Sequence, residues 1–249
     1  MPRTARKKSE TKIYHVMLRG INLQQLFKCD ADNEKFLVIL EDYKKICGFE
    51  LYGYCLMGNH VHLLIKTVEE DLAMVFKRIG VKYAAWHNWK YDRLGHLFQD
   101  RFRSEPVEDE EYFLTVLRYI HLNPIKSGIC GKLDEYPWSS YSEYVGDCRL
   151  VDTVFALEMT GLAGFVEFHN MEISEDAEKT LEKYARARLT DREVKKLMWE
   201  VCKCDSADTF LKFDAQERKS IIRNLKEAGA SVRQVSRLTG VGRGIVGRT

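Results

Sequence analysis

Long apolar runs are absent from this sequence of 249 residues. No stretch approaches the roughly 18 apolar residues that a membrane-spanning helix needs, which predicts a soluble protein. The basic start, MPRTARKK, leads into no apolar segment, so a secretory signal peptide is not expected. These absences predict a cytoplasmic protein with no membrane contact, associated with the nucleoid if its partner is DNA.

Disulfide and zinc-cluster patterns are missing as well. The 7 cysteines are odd in number and irregularly spaced. The nearest pair, Cys202 and Cys204, is one residue too close for a CxxC motif. We therefore expect reduced thiols in a reducing compartment. The sequence also contains no internal repeat and no low-complexity segment.

Charge is distributed unevenly, although the formal net charge is only +2. Residues 1–20 carry a net charge of +5 and residues 218–249 carry +7, which leaves −10 for the stretch between them. Two basic ends around an acidic body are typical of proteins that bind a polyanion such as nucleic acid. A solvated tail and a solvated helix face would give the same pattern, so charge alone leaves both interpretations open.

Hydrophobic periodicity divides the first half of the chain into strands and helices. In chain order the predicted elements are a strand over residues 11–19, a helix over 30–47, strands over 49–57 and 60–66, a helix over 71–91, an extended segment over 97–107 and a helix from about 108 to 122. This order predicts an α+β fold of the ferredoxin-like split βαβ type, an antiparallel sheet with helices on one face.

The predicted domain organisation has four parts. They are a basic arm at residues 1–10, a catalytic domain at 11–145, a connector at 146–174 and a helical C-terminal region at 175–249. The last part ends in SVRQVSRLTGVGRGIVGRT, residues 231–249, where Gly240 stands at the turn of a predicted helix-turn-helix. Val241, Ile245 and Val246 are expected to pack its second helix. A basic, frayed terminal helix is the alternative.

Two short motifs could carry chemistry. His60 and His62 alternate along a predicted strand, so both imidazoles lie on one face and could hold one divalent ion. Tyr119 and Asn123 are four residues apart on a predicted helix and share a face. A tyrosine beside a metal ligand suits phosphoryl transfer. Each motif also has an ordinary explanation, namely polar surface histidines, a core tyrosine and a helix-ending Asn-Pro.

Five segments in a fixed order are more specific than either motif alone. They are YHV at 14–16 with Arg19-Gly20, YCLMGNHVHLL at 54–64, QDRF at 99–102, YIHLNPIKSG at 119–128 and PWSSY at 137–141. From about residue 11 to 145 this string resembles the single-tyrosine HUH transposases with an IS200-like catalytic domain. Within that family it resembles the REP-associated tyrosine transposase-like proteins.

The resemblance implies a DNA transposase that nicks single-stranded DNA and transfers the strand through a 5′-phosphotyrosine intermediate. Tyr119 would be the nucleophile, and His60, His62 and Asn123 would hold Mg²⁺ or Mn²⁺. The expected substrate is hairpin or repeat-flanking DNA, with no nucleotide cofactor. Relatives include dimers that exchange catalytic helices as well as monomers, so a homodimer and a monomer both stay open.

Basic side chains in both halves of the chain are expected to contact DNA. In the catalytic domain they are Arg19, Arg101 and Arg103, and in the C-terminal region they are Arg233, Arg237 and Arg243. His121 lies about 200° from Tyr119 around the helix and is not expected among the metal ligands.

The sequence departs from the family pattern at two places. Gly58 stands where relatives commonly have proline before Asn-His, so the turn is looser but the histidines need not move. The segment RGINLQ at 19–24 lacks the asparagine and the arginine that relatives commonly have at that place, which bears on substrate contacts more than on chemistry. Two other functions stay open. One is a domesticated, non-cleaving, sequence-specific DNA-binding regulator. The other is a metal-dependent phosphodiesterase that uses water, with Tyr119 structural.

Overall fold

A computed structural model describes residues 7–99, 101–171, 191–204, 206–228, 230 and 232–249. The chain forms two compact units, Met1–Tyr184 and Ala185–Thr249. Each unit is described by itself below. The expected start of the C-terminal region, residue 175, lies outside the described residues.

The first unit contains the predicted split βαβ arrangement. Its elements are β1 (Ile13–Arg19), α1 (Asp30–Cys47), β2 (Glu50–Met57), β3 (His60–Lys66), α2 (Leu72–Lys90), β4 (Arg103–Pro106), α3 (Glu110–Lys126), α4 (Tyr141–Val145) and α5 (Val154–Asn170). The four strands form an antiparallel sheet in the order β2-β3-β1-β4. This order confirms the predicted ferredoxin-like fold.

Strand β4 is shorter than the predicted extended segment. Only Arg103–Pro106 pairs with β1 as a strand. Further upstream, Phe98 forms a single bridge to Gly20, just past the end of β1. The residues at 97–107 therefore pair in two short pieces, one with Tyr14–Met17 of β1 and one with Gly20.

Strands β1, β2 and β3 are buried on both faces of the sheet. The face that carries His62 and Gly53 packs against α3. Because side chains alternate along a strand, the opposite face, which includes Val61 and Leu63, is left for α1 and α2. The helix pair thus covers one face as predicted, and α3 adds a layer on the other.

Helices α1 and α2 pack together through aromatic rings. The rings of Phe27, Phe36 and Tyr83 lie with centroids 5.1–5.7 Å apart. Helix α1 ends where the sequence predicts, because Gly48 adopts a left-handed conformation with φ of 60°. The Tyr83 hydroxyl donates to the carbonyl of Leu26 at 2.7 Å, so the buried phenol has a partner.

Helix α3 begins at a cap and runs further than the sequence predicts. The Asp109 side chain accepts a hydrogen bond from the Tyr112 backbone N–H, as the run of acids at this end indicates. The predicted end ahead of Pro124 is wrong, since the helix continues to Lys126. Pro124 removes one backbone donor near the helix end, and the Ser127 N–H still bonds to the Asn123 carbonyl at 3.0 Å.

The expected connector, residues 146–174, contains helix α5. This helix is interrupted at Gly161, where φ is 63°. It packs on α3 through Phe155, whose ring centroid lies 4.9 Å from that of Phe113. The segment therefore adds a layer to the first unit.

The second unit consists of short helices around an apolar core. Its described helices are α6 (Asp191–Cys202), α7 (Ala207–Phe210), α8 (Ala215–Glu227), α9 (Val232–Thr239) and α10 (Arg243–Arg248). Val194, Phe210, Leu225, Val235 and Val246 are fully buried in this core.

Helices α9 and α10 occupy the positions of the predicted helix-turn-helix. Gly240 has a φ of 72° between them, which suits a tight turn. Val241 and Val246 are buried as expected. The expectation that Ile245 packs is wrong, because its side chain is 52% exposed. Residues 245 and 246 differ by 100° around the helix, so only one of them faces the core.

Within the described part of the chain, no helix is long and apolar enough to cross a membrane.

Asp32 links α1 to the end of α2, and its contribution to the free energy of unfolding should depend on pH. Its fully buried carboxylate accepts from Lys90 Nζ at 2.6 Å, the Tyr91 hydroxyl at 2.7 Å and the Lys28 backbone N–H at 2.7 Å. Burial alone would raise the pKa of Asp32, but the hydrogen bonds from Lys90, Lys28 and Tyr91 hold that pKa below its ordinary value. A carboxyl whose pKa is lower in the folded chain than in the unfolded chain stabilises the fold at pH values above its pKa in the unfolded chain. This stabilisation is lost as the pH falls through its pKa in the folded chain.

We predict that Asp32→Asn lowers the free energy of unfolding at neutral pH by about 1–3 kcal/mol. Urea unfolding at several pH values measures the loss. The gap from the wild type should shrink as the pH falls below the ordinary aspartate range. Asp42→Asn, at an exposed position on α1, is the control and should change stability by less than about 0.5 kcal/mol. A pH-independent gap would contradict the assignment.

Candidate active site

Strand β3 places His60 and His62 on one face of the sheet, as the sequence predicts. Their ring centroids lie 5.0 Å apart. His62 is fully buried, whereas His60 is half-buried at the end of the strand next to the Gly58-Asn59 turn. The two imidazoles therefore form one pair that faces α3.

Helix α3 comes close to the sheet at Gly53 of β2, a residue that has no side chain. A Cβ on Gly53 of β2 would lie 2.6 Å from Leu117 Cδ1, closer than packed carbons approach. This close approach brings Tyr119 beside the histidine pair. Its ring centroid lies 5.6 Å from that of His62, with the rings at 83° to each other. The structure thus brings together a predicted nucleophile and a predicted ligand that are 57 positions apart in the sequence.

Asn123 follows Tyr119 by one helical turn and is 8% exposed. Its Nδ2 donates to the Tyr119 carbonyl at 2.8 Å, which leaves its Oδ1 as the atom able to bind a cation. Lys126, a further turn along the same face, places its Nζ 5.2 Å from the Tyr119 ring centroid. One face of α3 therefore carries a phenol, an amide and an ammonium group.

His15 on β1 is a site residue that sequence analysis missed. Its Nε2 lies 2.9 Å from His62 Nδ1, and the two rings stack with centroids 5.2 Å apart. Its ring also lies 5.9 Å from the Tyr119 ring. His62 pairs directly with Met17, so His15 is its diagonal neighbour on the same face of the sheet. Only the strand register could have identified this contact.

The hydrogen bonds to His60 and His62 are made at their Nδ1 atoms, by Asn59 and His15 respectively. Asn59 Oδ1 lies 2.7 Å from His60 Nδ1 and can only accept, so that nitrogen carries the proton. Among the described residues, the buried His62 Nε2 has no hydrogen-bond partner. A metal-binding histidine needs a lone pair at one nitrogen and a partner at the other. His60 satisfies this condition, and His62 satisfies it when its Nδ1 carries the proton and donates to His15 Nε2. With the amide oxygen of Asn123, the two histidines offer the donor types that bind a divalent cation.

Burial keeps these imidazoles neutral. It lowers the pKa of His15 to about 4 and, together with the charge of Arg19, the pKa of His60 to about 4. The pKa of His62 also lies well below its ordinary value, because of burial first and then the charges of His60, His15 and Arg19. Neutral imidazole is the form that binds metals, so the site is in this form at neutral pH. Among the described residues no group of three His, Cys, Asp or Glu side chains is arranged to hold a metal, and the predicted set consists of two histidines and the amide of Asn123.

Two of the three predicted DNA-contacting arginines of the first unit, Arg19 and Arg103, lie near the histidine pair in the strand register. Arg19 ends β1 directly opposite His60 in the register. Arg103 begins β4, beside β1, and is exposed, as is Arg101. Arg19 is half-buried.

The other three predicted arginines lie on the last two helices of the second unit. Arg233 and Arg243 are exposed, and Arg237 forms an ion pair with Asp191 of α6. His121, which was predicted to lie outside the ligand set, is 1% exposed and faces α5. Burial, followed by the charge of His169, holds the pKa of His121 well below its ordinary value.

Comparison with known families finds a similarity within the first unit. Residues 8–123, a little under half of the chain, match the family model described as transposase IS200 like. The resemblance inferred from the five segments is therefore confirmed.

Two relatives extend the comparison. A REP-associated tyrosine transposase from Haemophilus influenzae is 30% identical over 114 residues, which cover 40% of this chain and 64% of that relative. This chain therefore spans less than two thirds of the relative that it matches. A solved structure of a REP-associated tyrosine transposase bound to a REP hairpin has a TM-score of 0.51 and 17% identity, covering 58% of this chain and 86% of that one. This likeness shows the fold.

The close approach at Gly53 predicts a steric test of how α3 is seated. Gly53→Ala places a methyl group against Leu117 in a fully packed layer and should lower the free energy of unfolding by about 1–3 kcal/mol. Chemical denaturation measures the change. Gly58→Ala is the matched control, because its added Cβ meets no atom within 4 Å. Equal effects of the two substitutions would contradict the packing described here.

Proposed function

We propose that this protein is a metal-dependent DNA transposase that nicks single-stranded DNA and transfers the strand through a 5′-phosphotyrosine at Tyr119. One observation carries the proposal. The Tyr119 ring lies against His62, whose buried Nε2 has no hydrogen-bond partner among the described residues. The proposed nucleophile and a proposed metal ligand are therefore neighbours.

The relatives support DNA as the partner. One is named a REP-associated tyrosine transposase, and another was solved bound to a REP hairpin. We propose that this chain also acts on hairpin or repeat-flanking single-stranded DNA. Arg101 and Arg103 are exposed, and Arg103 pairs with Met17, the partner of His62, so we propose that these arginines contact backbone phosphates.

The chemistry follows from the residues of α3 and β3. When bound by His60, His62 and Asn123, a divalent cation would polarise the scissile phosphate and offset its developing charge. The Tyr119 oxygen attacks phosphorus, the bond from phosphorus to the 3′ oxygen breaks, and that oxygen leaves as a hydroxyl with the proton that the phenol gives up. The product is a 5′-phosphotyrosine. Attack by a 3′-hydroxyl reverses the step and joins a strand without external energy.

Lys126 adds positive charge on the Tyr119 side of the site. Its ammonium group lies 5.2 Å from the ring centroid and is exposed to solvent. A fixed positive charge near the attacked phosphorus stabilises the negative charge that builds up on the phosphate oxygens. We propose this role for Lys126 alongside the three ligands.

The second unit supports a further contact with DNA. Arg233 and Arg243 are exposed on α9 and α10, the two helices of the predicted helix-turn-helix. We propose that these helices bind duplex or hairpin DNA. The same feature favours the alternative function, a non-cleaving, sequence-specific regulator, and the covalent-adduct experiment below separates the two.

The proposal predicts a covalent protein–DNA adduct that depends on one hydroxyl group. End-labelled single-stranded hairpin oligonucleotides from the DNA flanking the gene are incubated with Mn²⁺ or Mg²⁺, and the products are separated on a denaturing gel. The wild type should form the adduct, and Tyr119→Phe should form none while binding the same DNA. Tyr43→Phe, on the surface of α1, is the matched control and should react as the wild type does.

Other outcomes of this experiment identify the alternatives. An adduct in the Tyr119→Phe protein would disprove the assignment of the nucleophile. Binding without an adduct in any variant, lost when residues 218–249 are deleted and independent of metal, would favour the regulator. Metal-dependent cleavage without a covalent intermediate would favour the phosphodiesterase that uses water.

The metal site predicts a graded loss of affinity. Mn²⁺ titrated into the protein in a calorimeter should bind the wild type, and His62→Ala should abolish that binding. His15→Phe removes the partner of His62 Nδ1 and should weaken Mn²⁺ binding by about 10- to 100-fold. His96→Ala, at an exposed histidine, is the control and should bind Mn²⁺ as the wild type does. Unchanged affinity in the His62 variant would rule out this site.

A further inference from the structure

A line of buried hydrogen bonds lies beside Gly53, on the side of α3 away from Tyr119, and has no part in the chemistry proposed above. It joins β2, the segment before α4, helix α3 and helix α5. His121 Nε2 lies 2.8 Å from Ser140 Oγ, and His121 Nδ1 lies 2.9 Å from His169 Nε2. His169 Nδ1 lies 2.8 Å from the Phe165 carbonyl. We name this set, Ser140, His121 and His169, the polar spine.

The chemistry of its ends fixes the direction of every bond in the polar spine. The Phe165 carbonyl can only accept, so His169 Nδ1 donates and a neutral His169 accepts at Nε2. His121 must then donate from Nδ1 and accept at Nε2, which makes the Ser140 hydroxyl the donor. The Ser140 oxygen in turn accepts from the Tyr54 backbone N–H at 2.9 Å. When the Ser140 proton points to His121 at 2.8 Å instead of to the Tyr54 carbonyl at 3.2 Å, one arrangement of protons satisfies the whole line.

The members of the polar spine are enclosed. Ser140 is fully buried, His121 is 1% exposed and His169 is 2% exposed. Burial lowers the pKa of His169 to about 4, partly offset by its bond to the Phe165 carbonyl, so this imidazole is neutral at physiological pH. No substrate reaches these atoms, so their contribution lies in what they hold in place.

The polar spine bonds to α3 at a position midway between Tyr119 and Asn123, the two residues proposed to take part in the reaction. His121 is two positions after Tyr119 and two before Asn123, and it points to the other side of the helix. The packing of Leu117 on Gly53 is apolar and carries little direction. Hydrogen bonds at 2.8 and 2.9 Å are directional, so they oppose rotation of α3 about its own axis.

We propose that Ser140 and His169 are positioning residues that set the rotation of α3 and so aim Tyr119 at His62. The inference deepens the proposed function and rests on it for its catalytic consequence. Both residues lie beyond residues 8–123, the part that matches the family model. Helix α5 is accordingly a working part of the catalytic unit.

The test compares three variants of the full-length chain. His169→Leu removes the acceptor for His121, and His169→Gln keeps an acceptor at nearly the same place. Phe155→Leu weakens the packing of α5 on Phe113 and leaves the polar spine intact, so it is the matched control. If the leucine variant does not fold, Ser140→Ala takes its place, because it removes the donor to His121 at the other end.

Two readouts are measured in each variant. The first is the rate of adduct formation at saturating DNA, together with the Kd for that DNA. The second needs no activity and is the strength of the nuclear Overhauser effect between the Tyr119 and His62 rings, whose centroids lie 5.6 Å apart. Free energies of unfolding are measured alongside, so that the variants are compared at known stability.

We expect His169→Leu to slow adduct formation by about 10-fold or more at unchanged Kd and to weaken the Tyr119–His62 signal. His169→Gln should restore both, and Phe155→Leu should retain both even where it loses as much stability. A wild-type rate in the leucine variant, a glutamine variant no better than leucine, or an equal loss in Phe155→Leu would overturn the proposal.

The second readout separates this inference from the proposed function. If the wild type forms no adduct but the ring signal follows the expected order among the variants, the proposed chemistry fails and the positioning role stands. If the ring signal is the same in all variants, the positioning role fails whatever the chemistry.

Discussion

The His15–His62 hydrogen bond connects two adjacent strands at the centre of the sheet, and the candidate site depends on it. It occupies one nitrogen of His62 and directs the other toward α3. A second bond, from His60 to Asn59, does the same at the end of the strand. Because burial disfavours the charged forms, both imidazoles remain neutral lone-pair donors. The sheet and the turn that carries Asn59 thus hold both histidines of the proposed cation site in place.

Helix α3 carries the other proposed residues, and two kinds of contact set its placement. Because Gly53 has no side chain, Leu117 can approach the sheet, which fixes the distance between the helix and the histidines. One turn further along the same face, His121 bonds to Ser140 and His169, and these directional bonds fix the angle of the helix. Ser140 and His169 therefore matter to the site, although they lie after residues 8–123, the part that matches the family model. A reactive group on a helix is held in a productive geometry only when both the distance of that helix from the sheet and its rotation about its own axis are fixed.

Sequence analysis predicted the elements whose signals are local. Gly48 and the Gly58-Asn59 turn mark the ends of α1 and β2, and the bounds agree with the structure to within a residue. The predicted end of α3 before Pro124 was wrong, because a proline in the last turn removes one hydrogen bond without ending the helix. The motif placed His60, His62, Tyr119 and Asn123 together, but neither His15 nor His169 could be found. Their partners are 47 and 48 positions away and depend on register and packing that no local pattern encodes.

The central claim is that one tyrosine on α3 becomes bonded to DNA beside the histidine pair. Mass spectrometry of the protein after reaction with hairpin DNA and Mn²⁺, followed by nuclease and trypsin digestion, locates the bond directly. The account predicts a nucleotide phosphate on the peptide Tyr119–Lys126, attached to the tyrosine oxygen. A nucleotide on any other residue, or a cleaved strand with unmodified peptide throughout, would contradict it.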